Sequence, residues 1–179
     1  PHVAGPGGVA MTGTSALLPS GVDSAPAAWR MAAGGCNAIG EVPAARWALE
    51  PAPPPSVAAD AVALRVRHGG FVAGAERFDH RCFGVSAAEA GAMDPQQRLL
   101  LERGYEALHG AGLRRGSLEG SLTGVFLAIA ANDYAEVVRS TPAGRSVYAA
   151  TGSSHSIASG RLSFVRAPQW PRVAYDTAC

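Results

Sequence analysis

Thr123-Gly124-Val125-Phe126-Leu127-Ala128-Ile129 is the stretch on which the fold turns. Its β-prone residues run on without alternating with polar ones, which predicts a strand covered on both faces rather than a half-exposed one. Upstream, Asp94-Pro95 reads as an N-cap with proline at the first helical position, where its missing N–H costs nothing. From there Leu101, Tyr105 and Leu108 form an apolar face. Gln97, Arg98, Glu102 and Arg103 take the more polar positions, and Gly110 and Gly112 provide the stop. Downstream, Ile157, Leu162, Phe164 and Val165 predict a second packed helix between Ser153 and Val165, with Arg161 reaching out of it. Arg172-Val173-Ala174-Tyr175-Asp176 reads as another strand, running directly into Thr177-Ala178-Cys179. Strands alternating with helices predict an α/β layered core.

Before this core, Val9-Ala10-Met11-Thr12-Gly13 reads as a short buried strand, followed by a loop through Pro19 and Gly21. Ser24 as N-cap and Pro26 in the first turn start a helix whose stripe is Trp29, Ala32 and Ala33, closed by Gly34-Gly35. Residues 50–70 carry Pro51-Ala52-Pro53-Pro54-Pro55, which cannot propagate a helix or a central strand, and so read as an extended surface excursion. Ser86-Ala87-Ala88-Glu89 has the spacing of a capping box.

Of the 179 residues, 47% are hydrophobic and 16% charged, the composition of a soluble globular chain of one domain or a piece of one. A net charge of +1, with no basic block interleaved with aromatics, predicts no nucleic-acid partner. The longest apolar run, Val125 to Ala131, is far short of the ~20 residues that span a bilayer, so no membrane span is expected. The start has neither initiator methionine nor signal-peptide regions, as in a processed or excised fragment. Cys36, Cys82 and Cys179 form no C-x-x-C pair, which predicts a reducing compartment and a cytoplasmic protein; Cys82 reads as core. The five histidines lack metal-ligand spacing, so no metal is expected. Arg98 and Glu102 read as an exposed helical ion pair, and Asp133 with Glu136 as a solvated loop.

A cysteine just past a strand end becomes reactive when the next residues open a helix, because the helix N-terminus stabilises the thiolate and its free N–H groups receive an oxyanion. On spacing alone, Cys179 reads first as a small buried hydrophobe at a strand end, and spacing does not identify a nucleophile.

Motifs along the chain decide between these. Asp176-Thr177-Ala178-Cys179 is similar to the start of D-T-A-C-S-S-S, the active-site motif of β-ketoacyl synthases. Glu41-Val42-Pro43-Ala44-Ala45-Arg46-Trp47 resembles the family's E-V-P-x-x-R-W, and Gly69-Gly70-Phe71, Phe78-Asp79 and Phe83-Gly84-Val85-Ser86 continue the likeness in order. Met93-Asp94-Pro95-Gln96-Gln97-Arg98-Leu99-Leu100-Leu101-Glu102 is the most specific stretch, of the kind found in large modular polyketide synthases. Thr123 to Phe126, Asp133-Tyr134, Thr151-Gly152 and Gly160-Arg161-Leu162-Ser163 extend it over nearly the whole chain. Two places depart from the pattern: Ser153-Ser154-His155 stands where T-G-N-A-L is more usual, and Trp170 stands where the family has glycine.

The resemblance implies a thiolase-like fold, with residues 1–179 forming the amino-terminal half of a layered α-β-α-β-α domain, truncated at the nucleophile. It implies that Cys179 accepts an acyl chain from an acyl carrier protein for decarboxylative Claisen condensation with a malonyl-type extender. The resemblance further implies that no cofactor is bound directly, that phosphopantetheine is carried by the acyl carrier protein, and that the complete domain is a homodimer. The histidines, lysine and glycine-rich oxyanion segment of the family follow the cysteine, so the chain alone is expected to be inactive. The alternative is a non-catalytic half-domain that dimerises or docks a carrier protein. An unrelated cysteine hydrolase would need a histidine base that the matched motifs do not supply.

Overall fold

A computed structural model describes residues 8–46, 67–118, 121, 123–166 and 172–176. Two compact units divide the chain, one of residues 15–74 and the other of residues 1–14 with 75–179.

In the smaller unit, helix α1 (Ala25–Ala33) begins after Ser24 in an extended conformation and ends at Gly34, as the capping residues predict. None of its residues is buried, and Trp29 is 73% exposed, so the apolar stripe is present but uncovered. Strands β1 (Gly40–Glu41) and β2 (His68–Gly69) pair antiparallel, and Arg67 reaches Glu41 at 3.0 Å. Val22 and Val42 are buried in this unit. The proline-rich residues Pro51 to Pro55, and Trp47, lie outside the described residues.

The larger unit carries helices α2 (Ala87–Ala92), α3 (Pro95–Gly110) and α4 (Arg115–Leu118), then strand β3 (Val125–Ile129). Helix α5 (Tyr134–Arg139), a 3-10 turn (Pro142–Arg145), helices α6 (Ala149–Ser153) and α7 (His155–Arg166), and strand β4 (Arg172–Asp176) follow. β3 and β4 pair in parallel with Val125 opposite Arg172 and Ile129 opposite Asp176, the strand–helix–strand crossover expected of an α/β core. Helix α7 packs on both strands and on α3.

Local chemistry explains the boundaries. The Asp94 carboxylate accepts the Gln96 N–H at 2.7 Å and starts α3, and the Ser86 hydroxyl accepts the Glu89 N–H at 3.1 Å and starts α2. The core is a cluster of Phe83, Met93 and Leu101, with Phe78 stacked on Phe83 at 5.4 Å and Tyr105 meeting it edge-on at 6.4 Å. A second cluster joins Leu127, Ile129 and Ala158 beneath the sheet.

Several expectations are corrected. Residues 8–12 form no strand and are exposed, Val9 at 99%, because among the described residues no strand lies beside them to pair. Among the described residues β3 is covered on one face: Leu127 and Ile129 are buried, while Phe126 is 68% exposed. The helix expected over Ser153 to Val165 is present as α7, and only its start shifts, to His155, past Ser154, whose backbone is extended. Arg161 does not reach out; its guanidinium pairs with Glu89 of α2, and both side chains are largely buried. Gln97, assigned to a polar position, is 1% exposed, and Cys82, read as core, is exposed. Arg98 lays its guanidinium over the Tyr134 ring at 5.8 Å, while Arg103 pairs with Glu106 at 2.7 Å.

No helix among the described residues is long and apolar enough to cross a membrane.

Candidate functional site at the carboxyl edge of the parallel strands

In parallel sheets, reacting groups gather beyond the carboxyl ends of the strands, where the chain is free of the ladder and helices begin. Here that edge is set by Ile129 and Asp176, paired across β3 and β4. Thr177, Ala178 and Cys179 follow Asp176 directly in the chain, and lie outside the described residues. The neighbouring side of the edge is described in full. It consists of the turn from Ala130 to Asp133 and the helix ends packed around it.

Ala131 adopts a left-handed backbone (φ +64°), and its carbonyl accepts two hydrogen bonds. One comes from Gln96 Nε2 at 3.1 Å, the other from His155 Nε2 at 2.8 Å. A carbonyl has no proton to give, so His155 carries its hydrogen on Nε2. Gln96 sits where it does because the Asp94 cap fixes the first turn of α3. The buried Asp94 also donates its own N–H to the Gly152 carbonyl at 2.9 Å, tying α3 to α6. Gln97, three residues on from Asp94, donates from Nε2 to the Ser154 carbonyl at 3.0 Å and the Thr151 carbonyl at 3.4 Å. This satisfies the carbonyls left open where α6 ends and α7 begins. Tyr134, under Arg98, donates its hydroxyl to the Gly91 carbonyl at 3.3 Å.

Other candidate residues lie away from this edge. Cys82 sits on a surface turn where its N–H meets Asp79 at 3.4 Å, and Cys36 is exposed in the smaller unit. Asp133 and Glu136 are exposed, and Glu136 pairs with Arg139 at 3.2 Å. His109 stacks on Tyr105 at 5.9 Å. Burial raises the Glu102 carboxyl above its ordinary range, against the Arg103 guanidinium and a backbone hydrogen bond at Asp79, which lower it. An apolar cavity of about 250 Å³ is bounded by Gly104, Leu108, Val125, Leu127 and Leu162. It lies beside the amino-terminal half of β3, away from the carboxyl edge. Among the described residues no three His, Cys, Asp or Glu side chains gather as metal ligands would.

A family model described as the β-ketoacyl synthase N-terminal domain matches residues 7–179. The chain belongs to that family. Polyketide synthase GfsB of Streptomyces halstedii is 42% identical over 172 residues, which are 96% of this chain and 3% of that protein. The pikromycin polyketide synthase component PikAII of Streptomyces venezuelae is 42% identical over 172 residues, 96% of this chain and 5% of that protein. Among solved structures, the oxazolomycin ketosynthase domain of Streptomyces albus superposes with a TM-score of 0.70 at 28% identity, over 93% of this chain and 29% of that one. The ketosynthase from module 6 of the bacillaene synthase of Bacillus subtilis gives 0.69 at 26% identity, over 94% and 26%. The fold is thus the amino-terminal part of the thiolase-like ketosynthase fold. The chain spans a small fraction of the curated relatives it matches and about a quarter of the solved ketosynthases.

The network around Ala131 is what reading the sequence missed. Asp94-Pro95 places the start of α3 to the residue, and so puts Gln96 and Gln97 in its first turn. Nothing in the pattern says that their amides meet carbonyls 35 to 57 residues away. His155 was visible only as a departure from the family's usual residues.

Proposed function

We propose that this chain is part of a polyketide ketosynthase in which Cys179 is the acyl-accepting nucleophile. The observation that carries the reading is the end of β4 at Asp176, on the carboxyl edge beside β3, with Thr177-Ala178-Cys179 following in the motif of the family. In the reaction, the Cys179 thiolate attacks the carbonyl carbon of an acyl thioester carried on the phosphopantetheine of an acyl carrier protein. The carbon–sulfur bond to the carrier breaks, the phosphopantetheine sulfur leaves as a thiolate and takes up a proton, and the acyl group stays on Cys179. A malonyl-type thioester then loses CO2, and its carbanion attacks the acyl carbonyl and expels Cys179 as thiolate. The partners are the acyl carrier protein and a second copy of the domain, and the phosphopantetheine belongs to the carrier substrate.

The test is acyl transfer. The whole native polypeptide, incubated with an acyl carrier thioester and digested, should show the acyl mass on the peptide ending at or spanning Cys179, and Cys179→Ala should abolish it. Loading that survives this substitution overturns the assignment. Gene sequence beyond codon 179 that reads Ser-Ser-Ser and then two histidine motifs would support it further.

A second reading, a non-catalytic half-domain that associates through its sheet, is favoured by the exposed Phe126 face of β3. It predicts no acyl adduct, together with an oligomer or carrier complex on size-exclusion chromatography. A monomer that loads acyl groups excludes it.

A further inference from the structure

We propose that His155 and Gln96 are positioning residues: together they hold the Ala131 carbonyl, and through it the turn after β3, at the carboxyl edge where β3 pairs with the last residue of β4, Asp176, three residues before Cys179 in sequence. The proposal rests on Cys179 being the nucleophile. Three observations carry it.

Ala131 is a residue with a Cβ in the left-handed region, a conformation an L residue keeps only when its surroundings hold it there. Its carbonyl has two acceptor positions, and both are engaged, by donors from α3 and α7 that are 35 and 24 residues away in sequence. Finally, the two donors are themselves fixed by one network. Asp94 caps α3 and bonds Gly152, and Gln97 bonds Thr151 and Ser154, which sets the first turn of α7 that His155 begins.

The consequence for the site is geometric. With the carbonyl held from the helix side, the Asn132 N–H of the same trans peptide is turned the other way. The turn from Ala130 to Asp133 then has one shape when an acyl thioester arrives. Neither His155 nor Gln96 needs to touch the acyl group; they act through Ala131.

The test uses the whole native polypeptide, with the rate of Cys179 acylation from an acyl carrier thioester read by quenched peptide mass spectrometry. His155→Ala and Gln96→Ala should each slow loading by about fivefold, the worth of one neutral hydrogen bond, with the KM for the carrier unchanged. His155→Gln, which keeps an N–H donor, should recover most of the loss. In an Ala131→Gly background the penalty of His155→Ala should shrink below about twofold, because glycine adopts positive φ without a holder. A penalty of the same size in that background overturns the proposal, as does a His155→Gln variant as slow as His155→Ala. If the wild type takes no acyl group, the nucleophile reading fails, and the clamp is judged by NMR on the His155 Nε2–H. A signal protected from exchange in the wild type and labile in Gln96→Ala supports the clamp; an unprotected one overturns it.

Discussion

Gly152→Ala is the substitution on which the structure makes its sharpest stability prediction. A Cβ at Gly152 would stand 2.1 Å from the Ala92 carbonyl oxygen and 2.7 Å from its carbon, where real contacts essentially never fall below 3.0 Å. The obstacle is backbone, so no side chain can swing aside, and one of the two segments must move by about an ångström. Neither is free to do so. Met93, next to Ala92, is fully buried, and the Asp94 N–H donates to the Gly152 carbonyl at 2.9 Å. Overpacking costs about 1–3 kcal/mol and a lost buried hydrogen bond about 0.5–1.5, so about 2–4 kcal/mol is expected. With a urea slope of roughly 2 kcal/mol/M, the unfolding midpoint should fall by about 1–2 M at unchanged slope. Gly91→Ala is the control. Gly91 lies in α2 with nothing within 4 Å of its Cβ position, so alanine there should be neutral or stabilise by up to about 1 kcal/mol. Equal midpoints for the two variants would refute the packing argument.

Three other perturbations follow from the same packing. Arg161→Met alone should cost about 2–4 kcal/mol in thermal unfolding, since it leaves the Glu89 carboxylate unpaired in a site where the two side chains are 12% and 23% exposed. Adding Glu89→Leu should restore at least half, and a double variant as unstable as the sum of the singles contradicts this. Glu102 has its folded pKa raised by burial, so the folded state holds the proton more tightly than the unfolded chain. Its contribution therefore favours folding as pH falls from neutral through the raised value toward the ordinary carboxylate range. Glu102→Gln should raise Tm at pH 7 relative to wild type, and the gap should close by pH 4; a gap that widens on acidification reverses the sign. Phe126→Ser should leave stability within about 0.5 kcal/mol, because the ring is 68% exposed, and should reduce self-association on size-exclusion chromatography. A loss above 2 kcal/mol would mean that the ring is covered.

What the chain spells locally it spells well. The Asp94-Pro95 start, the Ser86-to-Glu89 cap and the bounds of β4 at Arg172 and Asp176 are all met, because each depends on atoms within a few residues or on a run of β-prone side chains. The parallel pairing of β3 with β4 follows the alternation of helix and strand. Polar burial is a different matter. Gln97 and Arg161 look like surface residues until α6, α7 and α2 close over them, since what makes their burial tolerable is a carbonyl or a carboxylate brought from far along the chain. Phe126 errs in the opposite direction: a continuous apolar run says that both faces of a strand want cover, and not that this chain supplies it. At the site, the motif names Cys179, but no periodicity reveals that Ala131 takes a left-handed backbone or that two helices hold it.

The spans of those remote contacts also set an order in time. Glu89 lies 72 residues ahead of Arg161, and β3 is complete before β4 emerges. A ribosome adding roughly 5–20 residues per second leaves Glu89 without its cation for about 4–14 s. From its synthesis until β4 emerges, β3 lacks the strand that pairs with it among the described residues and shows apolar side chains on both faces, while α3 can form as soon as its cap is made. Closing such long loops before any contact rewards them slows folding. Helices with local contacts are therefore expected to form ahead of the β3–β4 pair as the chain emerges, and the interval before that pair closes is the one in which a chaperone has most to hold.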